Sequence, residues 1–144
     1  MSKRDKILSR AIKSLGKKDY SKRELKESLE KKFCKEEIEE AIKFLERKGL
    51  IDDKKLAQKI IDKYMDRGKG YYYIERELKR RKIEEKIINE MMENFDFEKE
   101  FQNGEKYILK NMGKRDISSI FLTLKSRGYS EKTIERIGEK YGKR

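Results

Sequence analysis

Histidine is absent from this chain of 144 residues. With it go the usual neutral-pH proton acceptor and the commonest imidazole metal ligand. The single cysteine, Cys34, excludes both an intrachain disulfide and a thiolate metal cluster. Its place beside Phe33 predicts a small buried hydrophobe rather than a nucleophile, because free cysteine is among the most buried residue types. Proline is missing too, so nothing in the chain forces a helix to break. No apolar run approaches the roughly 20 residues of a membrane-spanning helix. The start, Met1-Ser2-Lys3-Arg4, leads into a charged amphipathic stretch without a signal-peptide core. These absences predict a cytoplasmic, monomeric protein that meets no membrane and holds no metal or other cofactor.

What the chain has in abundance is charge. Charged residues make up 47% of it, and 40 Lys and Arg against 28 Asp and Glu leave a net +12. A positive field of that size favours nucleic acid, an anionic membrane or an acidic protein groove. The Lys- and Glu-rich mixture also resembles proteins from hot environments, where surface ion-pair networks stabilise better. Low hydrophobic content can signal disorder, but the apolar residues here recur with helical periodicity. Ile7, Leu8, Ala11, Ile12 and Leu15 mark a first amphipathic helix, closed near Gly16. Ser21-Lys22-Arg23-Glu24 is a capping box, flanked by Tyr20 and Leu25 at the positions of a hydrophobic staple. Leu25, Leu29 and Phe33 line the second helix, and Ile38, Ala41, Ile42 and Leu45 the third.

The plan then repeats. Asp52 or Asp53 opens a helix bearing Leu56, Ala57, Ile60, Ile61 and Tyr64; Ile74 and Leu78 lie on the next, and Ile87, Ile88 and Met91 on the one after. A third round has Phe97, Phe101, Ile108 and Met112 facing inward, then Ile117, Ile120, Phe121 and Leu124, then Tyr129-Ser130 with Ile134 in a second staple-and-cap arrangement. Leu29, Leu78 and Leu124 fall in register at offsets of 49 and 46 residues, a spacing typical of tandem helical modules. The expected fold is all-α, with three tandem three-helix repeats of helix-turn-helix type in an elongated or curved row. The expected boundaries are 1–53, 54–95 and 96–144. Tyr71-Tyr72-Tyr73 is the one β-like triplet.

No catalytic constellation survives inspection. Glu36, Glu37, Glu39 and Glu40 crowd one helix start, where carboxylates suit the dipole, and Glu39 can pair with Lys43. A di-metal carboxylate site would need Glu-x-x-His motifs. Gly68-Lys69-Gly70 lacks the strand and the Gly-Lys-Ser/Thr ending of a phosphate loop and reads as a tight turn. The chain is therefore expected not to be an enzyme. Charge is distributed in blocks instead. Residues 1–33 hold twelve basic and five acidic side chains, 63–82 eight and three, 83–105 two and eight, and 106–144 eleven and four. The densest basic run, Arg76 with Lys79, Arg80, Arg81 and Lys82, follows directly on the three tyrosines. Cations interleaved with aromatic rings can hold a nucleic-acid backbone and stack bases. The plainer alternative is a tyrosine packed on a neighbouring helix beneath a solvated basic face.

Gly49-Leu50-Ile51-Asp52-Asp53-Lys54-Lys55-Leu56-Ala57, then Arg67-Gly68-Lys69-Gly70, then Ile74-Glu75-Arg76-Glu77-Leu78, together closely resemble the RecX family of RecA regulators. Tyr20-Ser21-x-x-Glu24-Leu25 is similar to the family's Ser-x-x-Glu-Leu in the first repeat, and Arg127-Gly128-Tyr129 to its Lys-Gly-Phe in the third. The likeness runs over nearly the whole chain. Three positions depart from the pattern: Leu56 where Phe is common, Tyr71 where Pro is common, and Lys82 where Gly usually precedes Ile83. The resemblance implies three helical modules that lodge in the groove of the RecA filament on DNA. It also implies inhibition of strand exchange, ATP hydrolysis and coprotease activity, and hence restraint of recombination and the SOS response. Single- or double-stranded DNA is a further partner for the basic surface. Residues expected to make these contacts are Arg67, Lys69, Tyr72, Tyr73, Arg76, Lys79 and Arg80, with Lys22, Arg23 and Lys26 of the first repeat. Whether filaments are capped, disassembled or only inhibited stays open. Open beside it are a direct DNA- or RNA-binding helix-turn-helix module with Arg76 to Lys82 in a groove, and a helical protein-binding scaffold.

Overall fold

A computed structural model describes residues 2–142 of the chain. They form nine α-helices: α1 (Lys3–Leu15), α2 (Lys22–Leu29), α3 (Lys35–Arg47), α4 (Asp53–Asp66), α5 (Tyr71–Arg80), α6 (Glu85–Glu93), α7 (Phe97–Asn111), α8 (Ile117–Ser126) and α9 (Glu131–Ile137), with a π turn at Gly138–Gly142. The described residues include no strand; Met112 and Arg115 make one isolated backbone bridge. The fold is all-α, as the periodicity predicts. Tyr71-Tyr72-Tyr73 is not extended but starts α5. The β-preference of aromatic residues is a preference for packed surfaces, and rings at a helix start find one here.

Two units make up the described chain. The first holds the residues up to Gln58 together with Leu78–Ile88; the second holds Lys59–Glu77 and the residues from Asn89 on. In the first unit, Ile7, Ala11, Leu25, Leu29, Ile38, Ala41, Ile42, Leu45 and Ile51 form one core. Its helix ends are set by side chains. Ser21 Oγ accepts from Glu24 N–H at 3.2 Å while Glu24 Oε1 accepts from Ser21 N–H at 2.8 Å, closing the expected capping box. Asp52 Oδ1 accepts from Lys55 N–H at the start of α4, and Asp53 Oδ1 reaches back to Lys22 N–H at 2.8 Å. The two adjacent aspartates thus serve two different helix N-termini. Cys34 is exposed at the start of α3, where its thiol donates to Glu37 at 2.8 Å. It caps a helix rather than filling a core, because the helix start it occupies faces water. Glu39 pairs with Lys26 on α2 at 2.7 Å, and not with Lys43 as expected.

The second unit is cored by Phe101, Ile108, Ile120, Leu124, Tyr129 and Ile137. Ile12 and Met112, expected inward, are 50% and 47% exposed. Both stand on the edge of an apolar stripe that is wider in the sequence than the face it covers. Leu29, Leu78 and Leu124 are all buried at 1% exposure or less, on the middle helix of each successive triplet. Two turns of the second unit lie against each other. Gly70 N–H donates to Arg127 C=O at 2.9 Å and Tyr72 N–H to Gly128 C=O at 2.8 Å. A Cβ on Gly128 would sit 2.4 Å from Tyr73 N, and Gly128 has φ +85°, so both space and conformation require glycine there. The Arg67–Gly70 and Arg127–Tyr129 motifs, far apart in sequence, are each other's packing partners.

Candidate functional site

The turn that ends α4 places its basic residues over aromatic rings. Tyr64 and Tyr73 lie with ring centroids 5.3 Å apart, tilted at 60°. Lys63 and Arg67 stand over Tyr64, at 5.2 and 5.7 Å from its centroid; Lys69 and Arg76 stand over Tyr73, at 4.7 and 5.7 Å. Four cations therefore surround one pair of tyrosines, held over the electron-rich ring faces. Lys63, Arg67 and Arg76 are exposed and Lys69 is half-buried. Tyr64 Oη donates to Glu77 at 3.2 Å. Burial, then the Glu77 charge and hydrogen bond, push the Tyr64 phenol up, so it remains a neutral donor.

The three tyrosines of α5 do three different things. Tyr71 stacks on Phe97 and meets Phe95 edge-on, at 5.5 and 5.2 Å. Tyr72 is 43% exposed and donates to Glu131 at 2.5 Å, away from the cation cluster. Only Tyr73 joins the basic site. Beneath them lies Glu100, fully buried. Its Oε2 accepts from Tyr71 N–H at 2.8 Å and Ser130 N–H at 3.1 Å, and its Oε1 from the Ser130 hydroxyl at 2.7 Å. One carboxylate thus serves the N-termini of α5 and α9, where unpaired N–H groups and the helix dipole favour negative charge. Tyr129 lies beside it and donates to Gly68 C=O at 3.0 Å, which ties the α4 turn to the core. Burial and then the Glu100 charge push the Tyr129 phenol up to about 12, against the opposing effect of Arg127.

Of the residues expected from sequence, Arg67, Lys69, Tyr73 and Arg76 come together in the second unit. Lys79 and Arg80 are exposed at the end of α5, among the residues of the first unit. The run that follows them is committed elsewhere. Arg81 donates to Glu24 from Nε at 3.0 Å and to Asp19 C=O at 2.8 Å, and Lys82 pairs with Glu27. Lys22 and Lys26 pair with Glu46 and Glu39 of α3, and Arg23 is exposed beside them. Sequence reasoning missed Lys63 and Tyr64, which lie ten and nine residues before Tyr73 across a turn, and Glu100, which lay in an acidic block. Lys63 and Tyr64, four and three residues before Arg67, were the available signal.

Known proteins match this chain as follows. No family model matches it. The regulatory protein RecX of Clostridioides difficile (strain 630) is 34% identical over 100 residues, 69% of this chain and 47% of that protein. The regulatory protein RecX of Chlorobium phaeobacteroides (strain BS1) is 31% identical over 93 residues, 63% of this chain and 62% of that protein. The chain thus spans about half to three-fifths of the length of these curated relatives. A crystal structure of RecX from Lactobacillus salivarius superposes with a TM-score of 0.83 at 20% identity, over 95% of both chains. A second crystal structure of a regulatory protein RecX gives 0.77 at 21% identity, over 94% of this chain and 73% of that one. The all-helical fold is that of these structures, and the resemblance read from the motifs is borne out.

Proposed function

We propose that this chain, a RecX relative in sequence and in fold, is a regulator of the RecA recombinase that binds the RecA–DNA filament and depresses its ATP hydrolysis, strand exchange and coprotease activity. In this reading it is not an enzyme, acts in the cytoplasm and restrains recombination and the SOS response. The observation that supports it is the cluster of Lys63, Arg67, Lys69 and Arg76 on the Tyr64–Tyr73 pair. That cluster sits on the very motif, Arg67-Gly68-Lys69-Gly70, that carries the resemblance. Cations already held by rings and by a glycine turn lose less freedom on meeting an acidic surface than solvated lysines would. The helix-turn-helix alternative needs Arg76 to Lys82 free to enter a groove, and Arg81 and Lys82 are bound to Glu24 and Glu27. Lys79 and Arg80 then act as a secondary contact, and Lys22, Arg23 and Lys26 as a lesser one, since two of those three are paired.

The test is co-sedimentation with RecA–single-stranded DNA filaments, comparing the wild type with Arg67→Glu/Arg76→Glu. Charge reversal turns attraction into repulsion across the contact and costs several kcal/mol there. The expected result is loss of co-sedimentation with helix content unchanged. Binding equal to wild type would remove this surface from the interface.

A further inference from the structure

The first helix carries a basic groove that the reading above does not use. Lys6, Arg10, Lys13 and Lys17 line a groove of about 530 Å³ together with Ser9, Ser14 and Phe33. Spacings of four and three residues keep Lys6, Arg10 and Lys13 on one face of α1, and Lys17 follows in the turn after Gly16. At 1.5 Å per residue Lys6 to Lys13 extend over about 10 Å, and Lys17 lengthens the row beyond the helix end. All four are exposed, and none has a carboxylate partner among the described residues. That separates them from Lys3, Lys22, Lys26, Arg81 and Lys82 of the same unit, each of which is paired with a glutamate. What sets this row apart is that its four cations are gathered on one groove beside an aromatic ring. Phe33 is half-buried: it packs against the core and also lines the groove.

We propose that this groove binds the phosphodiester backbone of single-stranded nucleic acid along α1, with Phe33 as a stacking surface for a base. A strand presents roughly one phosphate per 3.4 Å in B-form geometry and fewer when extended, so a row of four cations meets about three or four of them. A flat ring beside a cationic track is the combination that holds single strands without regard to sequence. A duplex would present its phosphates on two curved rims, which one straight row in a groove does not follow. The site does not depend on the RecA reading, and either can fail without the other.

The experiment is fluorescence anisotropy of labelled oligothymidylate with the full chain, over a series of salt concentrations. The substitution Lys6→Gln/Arg10→Gln/Lys13→Gln/Lys17→Gln should flatten the slope of log affinity against log salt by about 3, since each phosphate neutralised on a single strand adds about 0.7 to it. An equal change of charge in the second unit, Lys99→Gln/Lys106→Gln/Lys110→Gln/Lys114→Gln, should leave most of that slope in place. Phe33→Leu should weaken oligothymidylate binding roughly five-fold or more, and leave an abasic oligonucleotide of equal length unaffected. Equal losses in the two lysine variants would overturn the proposal, as would wild-type binding by the α1 variant. Competition by polyglutamate as effective as by unlabelled oligothymidylate at equal charge would assign the groove to an acidic protein instead, and would also overturn it. Circular dichroism on each variant verifies that the helices persist.

Discussion

Glu100 offers a perturbation whose magnitude follows from geometry. Its buried carboxylate accepts from two backbone N–H groups and one hydroxyl, at the starts of α5 and α9. Both N–H groups go to the same oxygen, Oε2, and the hydroxyl of Ser130 to the other. Glu100→Gln can keep an oxygen on the two N–H groups and turn its amide toward Ser130 Oγ, so it loses mainly the charge. Charge-assisted hydrogen bonds are roughly twice as strong as neutral ones, which puts that loss at about 1–2 kcal/mol. Glu100→Ala strands the two N–H groups in a dry site at about 1–3 kcal/mol each and opens a cavity, for a total of about 3–7 kcal/mol. Against a global stability of roughly 5–15 kcal/mol, the alanine variant should melt far below the glutamine variant. Urea unfolding followed by circular dichroism measures both. Finding the two variants within about 1 kcal/mol of each other would refute the reasoning that hydrogen-bond satisfaction is what Glu100 contributes.

Four further outcomes are expected. Leu78→Ala, at a site with no exposure, should cost about 2–5 kcal/mol in the same assay, as should Leu124→Ala. Lys82 is the one described non-glycine residue with positive φ, at 57°, so Lys82→Gly should stabilise the chain by about 0.5–1 kcal/mol even though the Glu27 pair is removed. Burial pushes the Glu24 carboxyl up, but the Arg81 hydrogen bond, the Ser21 N–H and nearby cations outweigh it and hold the group below 4.5. Its contribution is therefore complete above pH 4.5 and lost as pH falls through the lower folded value, and Arg81→Gln should flatten that acid limb of stability. Tyr129, raised from 10.0 to about 12, contributes fully below pH 10 and loses its contribution as pH rises toward 12, so Tyr129→Phe should flatten the alkaline limb.

The helices, the capping box at Ser21 and the buried triad Leu29, Leu78 and Leu124 were legible because periodicity and caps are local signals. Lys82 shows how a departure from a pattern becomes physical: glycine is usual there because the backbone is left-handed, and here lysine adopts that conformation. The separate roles of the three tyrosines were not legible, because the neighbours that sort them, Phe95, Phe97, Glu131 and Tyr64, lie at other places in the chain. Cys34 misled, since residue type predicts average burial and not the side of a helix start. At the candidate site, the cations of the Arg67–Gly70 turn were visible as a charge block. The sorting of the chain's basic residues into paired and ring-held groups was not, because Glu24, Glu27, Glu39 and Glu46 meet Arg81, Lys82, Lys26 and Lys22 only across the fold of the first unit.

The central claim is regulation of RecA, and titration of the protein into pre-formed RecA–single-stranded DNA filaments tests it directly, with ATP hydrolysis as the readout. Hydrolysis should fall as the protein approaches stoichiometry with RecA of the same source, and Arg67→Glu/Arg76→Glu should fall short of that inhibition. Undiminished hydrolysis at a large molar excess of wild-type protein would contradict the account.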